Sequence, residues 1–204
     1  MAGWVVGKHF SDVVSELLAH SDAAPAIIAS HQLAIAEVDP AAELPWDRFT
    51  ATVAELARTV PGPVLVECGA RIVRASQAEF ERWGFDTADK VLADWDAPFG
   101  ASIIDAPEHQ AVQTLEHGPG LAYLRAGAIL PAALIEGYIR GVVAMYGADL
   151  ITLDCHRVAM EGHPVHLFEL RYRSGPPRRH PMAPRNLRGL APPARGLGMS
   201  KALG

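Results

Sequence analysis

Cysteine is nearly absent: Cys68 and Cys155 are the only two in 204 residues. That is too few for a disulfide framework and fits a reducing, cytoplasmic setting. An apolar run able to cross a membrane is also lacking. The most apolar stretch, 126–148, is broken by Glu136 and Arg140, and Lys8 stands where a signal peptide would need its apolar core. No phosphate-cradling glycine loop, HExxH, CxxC or nucleophile elbow occurs, so no catalytic motif marks an enzyme. What is present is apolar material: half the residues are hydrophobic and 20% are charged. That suffices for one well-buried domain and excludes disorder throughout.

Charge is unevenly spread. The formal net charge is -5, from 18 Lys+Arg against 23 Asp+Glu, yet residues 175–204 hold six bases and no acid. Those bases are Arg178, Arg179, Arg185, Arg188, Arg195 and Lys201, set among Pro176, Pro177, Pro181, Pro184, Pro192 and Pro193. Such a segment buries too little to offset the entropy of ordering, and is expected to be a flexible tail that docks on a partner protein through Leu187, Leu190, Leu197 and Leu203. The acidic body repels nucleic acid, and the tail has no aromatic residue for stacking on single strands, so nucleic acid is not the expected partner.

Periodicity divides the remainder. Phe10, Val13, Val14, Leu17 and Leu18 have helical spacing, and a second short helix is expected at 25–32, giving residues 1–44 the look of a helical extension. Pro45 opens a firmer helix with Phe49, Val53, Leu56 and Val60 on one face, stopped by Pro61-Gly62-Pro63. In 64–74, Leu65, Cys68, Gly69, Ile72 and Val73 fit a helix face with Arg71 and Arg74 outside. Ser76 and Thr87 then start two short helices.

Beyond Pro98 the pattern changes to strands. His117-Gly118-Pro119-Gly120 must turn, pairing 111–116 with 121–126 as a hairpin. Pro131 opens the longest apolar helix, in which Gly137 and Gly141 would let another backbone approach. Residues 150–158 and 165–173 alternate around a turn at Glu161-Gly162. In that register Ile151, Leu153 and Cys155 share the core face with His166, Phe168, Leu170 and Tyr172. The expected architecture is α+β: N-terminal helices packed on an antiparallel sheet of hairpins with one long helix between them, as a domain spanning 45–174.

Several residues are candidates for chemistry. Tyr138, Tyr146, Phe168 and Tyr172, with Leu134 and Ile139, have the apolar bodies and few hydroxyls of a small-molecule pocket. Cys155, His163 and His166 carry the donor types of a metal site on two paired strands. His109 and His117 are candidate axial ligands for a haem iron. Glu136 and Arg140 form a helical i,i+4 pair, and Glu108 stands beside His109 as a candidate acid-base pair.

The run PAALIEGYIRGVVAMYG at 131–147, followed by LITLDC at 150–155 and GHPVHLFEL at 162–170, resembles a ligand-binding superfamily. It unites 4-vinyl-reductase domains, haem nitric-oxide-binding domains and Golgi transport-particle subunits. The resemblance is sharpest over 131–172 and extends back to about Trp46. It implies a ligand cavity between the helices and the sheet, and a role in sensing a small apolar or flat molecule and signalling to a partner. The haem-binding branch holds the propionates with a tyrosine-any-serine-any-arginine motif. Here the stretch is Tyr123-Leu124-Arg125-Ala126-Gly127, which keeps only the tyrosine and argues against haem. The vinyl-reductase branch has a cysteine on each hairpin strand, whereas this chain has Cys155 and then His166. Two other roles follow: a reductase-like or accessory subunit acting on a tetrapyrrole, or an assembly protein forming a homodimer through its helices, with Gly137 and Gly141 at the contact.

Overall fold

The structure, a computed structural model, describes residues 3–31 and 38–175. The basic segment beyond Gly175 lies outside the described residues. The architecture is α+β, with eight α-helices and two antiparallel sheets among the described residues.

The first sheet is small and joins distant parts of the chain. Strand β1 (Trp4–Val6) lies between β2 (Glu43–Pro45) and β3 (Ile103–Ile104), with Val5 opposite both Leu44 and Ile103. These strands are too short for alternation to reveal them, which is why the sequence reads there as helix and connection. The helix α1 (Gly7–Leu18) follows β1 directly and buries Phe10, Val13, Val14 and Leu17 in the same core as the later helices. The described residues of this N-terminal stretch therefore pack into the same core as the later helices.

The next helices form where the apolar spacing places them: α2 (Ala24–Ser30), α3 (Trp46–Ala57) and α4 (Gly62–Ala75), with Phe49, Val53 and Leu56 of α3 and Leu65, Cys68 and Ile72 of α4 buried. Three short helices follow, α5 (Gln77–Arg82), α6 (Ala88–Ala93) and α7 (Asp96–Ser102). Thr87 caps α6 by accepting from the Lys90 amide at 3.3 Å.

The second sheet has the order β4-β5-β7-β6, built from β4 (Val112–Gly118), β5 (Leu121–Gly127), β6 (Asp149–Met160) and β7 (His163–Arg173). Helix α8 (Ala132–Met145) connects its two hairpins. Leu124, Phe168 and Leu170 of the sheet and Leu134 and Ile139 of α8 are fully buried in one core. No gap separates helix from sheet at these positions.

Two expectations about exposed and paired surfaces change. The spacing predicts that Ile151 joins the core face, but a β-bulge between Leu150 and Thr152 takes Ile151 out of register and leaves it 60% exposed. Cys155 does pair with Phe168, yet β6 is the edge strand, so its thiol is exposed rather than packed as a small hydrophobe. The glycine face of α8 is also taken, by α4 of the same chain. A Cβ on Gly137 would lie 2.2 Å from the Val66 carbonyl oxygen, and one on Gly141 would lie 2.8 Å from that of Ala70. Gly69 meets Gly137 from the other side. These glycines let two backbones of one molecule touch, so they are not available to a second copy.

Candidate functional site

A cavity of about 80 Å³ opens among the helices, with Leu130 and Tyr138 forming one wall. Its other walls come from His9 of α1, Phe49 of α3, Ile72 and Val73 of α4, Phe80 of α5, and Trp95, Pro98 and Phe99 around α7. Trp83, 48% exposed, and Glu79 mark its mouth. No residue of the four-stranded sheet lines it. The expected location between helices and sheet is thus replaced by one within the helical layer, because α8 already covers the sheet.

The polar groups facing this space are few. Tyr138 is 9% exposed and lines the cavity. His9 packs between Phe49 and Tyr138, with ring centroids 5.9 and 6.4 Å away. Burial, with the Lys8 charge adding to it and Asp12 opposing it, pushes the His9 imidazole down to about 4, so the ring is neutral at physiological pH. Burial likewise raises the Tyr138 phenol well above its ordinary value, keeping it protonated. Glu79 is engaged by Lys8 at 3.6 Å and Arg82 at 3.8 Å. The cavity is therefore largely aromatic, with His9, Tyr138, Ser76 and Ser102 as neutral polar residues on its walls and a paired carboxylate, Glu79, beside them.

Of the six residues expected to line a pocket, Tyr138 faces this cavity. Leu134, Ile139 and Phe168 are in the solid core, and Tyr146 donates its hydroxyl to the Phe85 carbonyl oxygen. Tyr172 donates to Asp89 Oδ1 at 2.8 Å and accepts from His117 Nε2 at 2.9 Å, which ties α6 to both hairpins. These residues follow the helix and strand periods of the core, and periodicity alone does not separate a core residue from one that lines a void. His9 was hidden because a lone polar residue between Lys8 and Phe10 carries no pattern.

Cys155, His163 and His166 are not brought together. Cys155 lies opposite Phe168, two residues from His166 and five from His163, or roughly 7 and 17 Å along an extended strand. The His163 ring stacks on His109 with centroids 3.9 Å apart, and Glu108 engages Arg125 through its backbone oxygen. Glu136 and Arg140 form their helical pair at 2.8 Å on the surface. Among the described residues, Glu16, His20 and Cys68 do bring their donor atoms within 4.8 Å of one another. Arg71 already occupies that cluster, 2.5 Å from Glu16 Oε1 and 2.6 Å from His20 Nε2, so a guanidinium stands where a metal would need lone pairs.

Neither a protein-family model nor a curated protein matches the sequence. Solved structures match at the level of the fold. A mutant H-NOX domain of T. tengcongensis superposes with a TM-score of 0.61 at 12% identity, over 82% of this chain and 97% of that one. An oxygen-binding H-NOX domain related to soluble guanylate cyclases, solved as its oxygen complex, gives 0.58 at 13% identity, over 84% and 96%. An H-NOX protein from S. oneidensis in the Fe(II) ligation state gives 0.59 at 11% identity, over 82% and 95%. The chain has an H-NOX-like fold.

The residues present do not fit a haem. Ligand pockets for molecules of that size enclose roughly 300 Å³ or more, several times the volume of this cavity. At Gly127, where the propionate motif would have its arginine, a Cβ would lie 2.4 Å from the Gln110 Cα, so the backbone of the 3-10 turn Glu108–Gln110 fills the space. Arg125, at the motif's serine position, is buried and turned to the Glu108 carbonyl oxygen and Gln113 Oε1. His109 and His117 are occupied by His163 and Tyr172, away from the cavity, where His9 supplies the one imidazole among the described residues.

Proposed function

We propose that this chain is a haem-free sensor domain that binds a small apolar molecule in the cavity beside Tyr138 and signals its presence to a partner protein. The observation that carries this reading is the cavity itself, which is walled by Phe49, Phe80, Trp95 and Phe99 and bordered by the side chains of His9 and Tyr138. Apolar walls with a few polar groups are the usual make-up of a small-molecule site, and a guest that shields those walls from water stabilises the occupied state. Occupancy would bear on α1 and α8 together, since His9 and Tyr138 both border the space and their rings pack with centroids 6.4 Å apart. That coupling gives a route from ligand to surface, with the basic segment 175–204 as the proposed contact to the partner. No helix of the described residues is long and apolar enough to cross a membrane, and two free thiols suit a cytoplasmic location.

A tetrapyrrole substrate for a reductase-like subunit meets the same obstacle as haem, because the cavity is too small for a flat macrocycle. The wider kinship with vinyl-reductase domains and Golgi transport subunits rests on the 131–172 pattern alone. Native mass spectrometry of the full chain, with thermal unfolding in the presence of small apolar compounds, tests the reading. A retained small molecule, or a saturable rise in unfolding temperature, is expected. A protein that carries nothing and is stabilised by none of the compounds, or one that takes up hemin stoichiometrically with an intense Soret band, overturns it.

A further inference from the structure

The two edges of the four-stranded sheet differ. Strand β4 is seven residues long and carries a bulge between Thr114 and Glu116. Its Thr114 amide donates to Asp96 Oδ2 at 3.3 Å and the Thr114 hydroxyl donates to the Leu92 carbonyl oxygen at 2.9 Å, so α6 and α7 close that edge. The opposite edge, β6, runs for twelve residues and pairs with β7 alone among the described residues. Its bulge lies near the start, between Leu150 and Thr152, and from Thr152 to Met160 its register with β7 is unbroken. No proline, glycine or lysine interrupts or guards the strand. A long open edge of this kind is a template for another strand.

The side chains of β6 select which strand fits. By alternation Asp154 and His156 lie on the face away from α8, and Leu153, Cys155 and Arg157 lie on the other. Asp154 stands opposite Glu169 of β7, a like charge that already pairs with Arg171 at 3.8 Å. Asp154, His156 and Arg157 have no ion pair among the described residues. A donor on the free side of Asp154 is what the strand lacks, and a second β6 running antiparallel supplies it. A two-fold axis normal to the sheet keeps both α8-covered faces on one side when it passes between two copies of one residue. Placed at Cys155, it sets Asp154 of each copy against His156 of the other, and Leu153 against the aliphatic stem of Arg157. Placed one residue earlier it sets Asp154 against Asp154, and one residue later His156 against His156.

We propose that β6 is a self-association edge, through which two copies of this chain pair antiparallel about Cys155 to form one eight-stranded sheet. The rival occupant is the segment after Gly175, because Gly175 packs on Gly147 beside the start of β6. Pro176, Pro177, Pro181 and Pro184 cannot donate to a ladder, which favours the second copy. No residue of β6 lines the cavity, so this association is independent of the ligand reading.

Sedimentation equilibrium of the full chain over a concentration series tests this, together with a short bis-maleimide that joins two thiols through thioether bonds. Cys68 is buried, so Cys155 is the thiol that reacts in the folded chain. A concentration-dependent dimer that the reagent traps is expected, and Cys155→Ser should abolish trapping while leaving the mass in solution unchanged. Asp154→Arg alone and His156→Glu alone are each expected to raise the dissociation constant about ten-fold, and the two together to restore it to within about two-fold. Both side chains are exposed, and trapping of the unaltered protein needs no variant to fold. A chain that stays monomeric to its solubility limit overturns the proposal, and if its Cys155 also resists maleimide, the segment 176–204 covers the edge instead. A dimer that escapes trapping, or that ignores both charge reversals, uses another surface and overturns it as well.

Discussion

Helix α8 takes part in two regions packed on opposite rules. Along Gly137 and Gly141 it is pressed against α4 so closely that a single added carbon would strike the facing carbonyl oxygens. One residue on, at Tyr138, it borders a space that no side chain among the described residues fills. Helix α4 does the same, meeting α8 through Gly69 and Ala70 and then lining the cavity with Ile72 and Val73. The welded stretch fixes the two helices against each other, so the cavity walls of α4 and α8 are held by backbone contact. The remaining walls come from α1, α3, α5 and α7, of which α5 and α7 are only six and seven residues long. A rigid side and a side of short elements are what a domain needs if filling a void is to move something.

The largest expected effect comes from breaking the weld. Gly137→Val must force α4 and α8 apart and should cost about 3 kcal/mol, read as a lowered urea midpoint. A variant as stable as the parent would mean that the contact is not a constraint. On the cavity side, the effect is on pH dependence. His9 has its pKa lowered from 6.5 to about 4 in the folded chain, so between those values the unfolded chain binds more protons. The stability is complete above about pH 7 and falls by about 2 kcal/mol on acidification to pH 5. In His9→Phe that slope should flatten, and an unchanged slope would place the titrating group elsewhere.

Smaller effects mark features outside both regions. Tyr172→Phe removes the bonds to Asp89 and His117. It should cost about 1 kcal/mol, because both partners reach water once released. A negligible change would show that the link between α6 and the hairpins is redundant. Glu136→Gln breaks a surface pair on the solvent face of α8 and should change stability by less than about 0.5 kcal/mol. A larger loss would mean that this face also contributes to the packing of α8.

Much of the fold was legible before the structure because long elements carry a period. The helices α1, α3, α4 and α8 and both hairpins announce themselves through apolar spacing, prolines and turn residues. The short strands β1, β2 and β3 do not, since two or three residues leave no alternation to read. Ile151 was misread for a related reason: one bulged residue breaks strict alternation, and sequence has no marker for it. The site was less legible than the fold. Tyr138 was among the residues singled out, but its five companions obey the same spacing and go to the core, while His9, Trp83 and Trp95 come from elements far apart in the chain.

Composition and periodicity by themselves determined the class of the molecule: an α+β chain with few cysteines, no membrane-length apolar helix and a separate basic segment. They did so because those properties are sums or local repeats along the chain. Whether the glycines of α8 face a second molecule or the same one, and whether an aromatic residue packs or lines a void, was decided only in three dimensions. Those outcomes depend on how far apart two surfaces come to rest, and that distance is set by residues more than sixty positions away, as Gly69 is from Gly137.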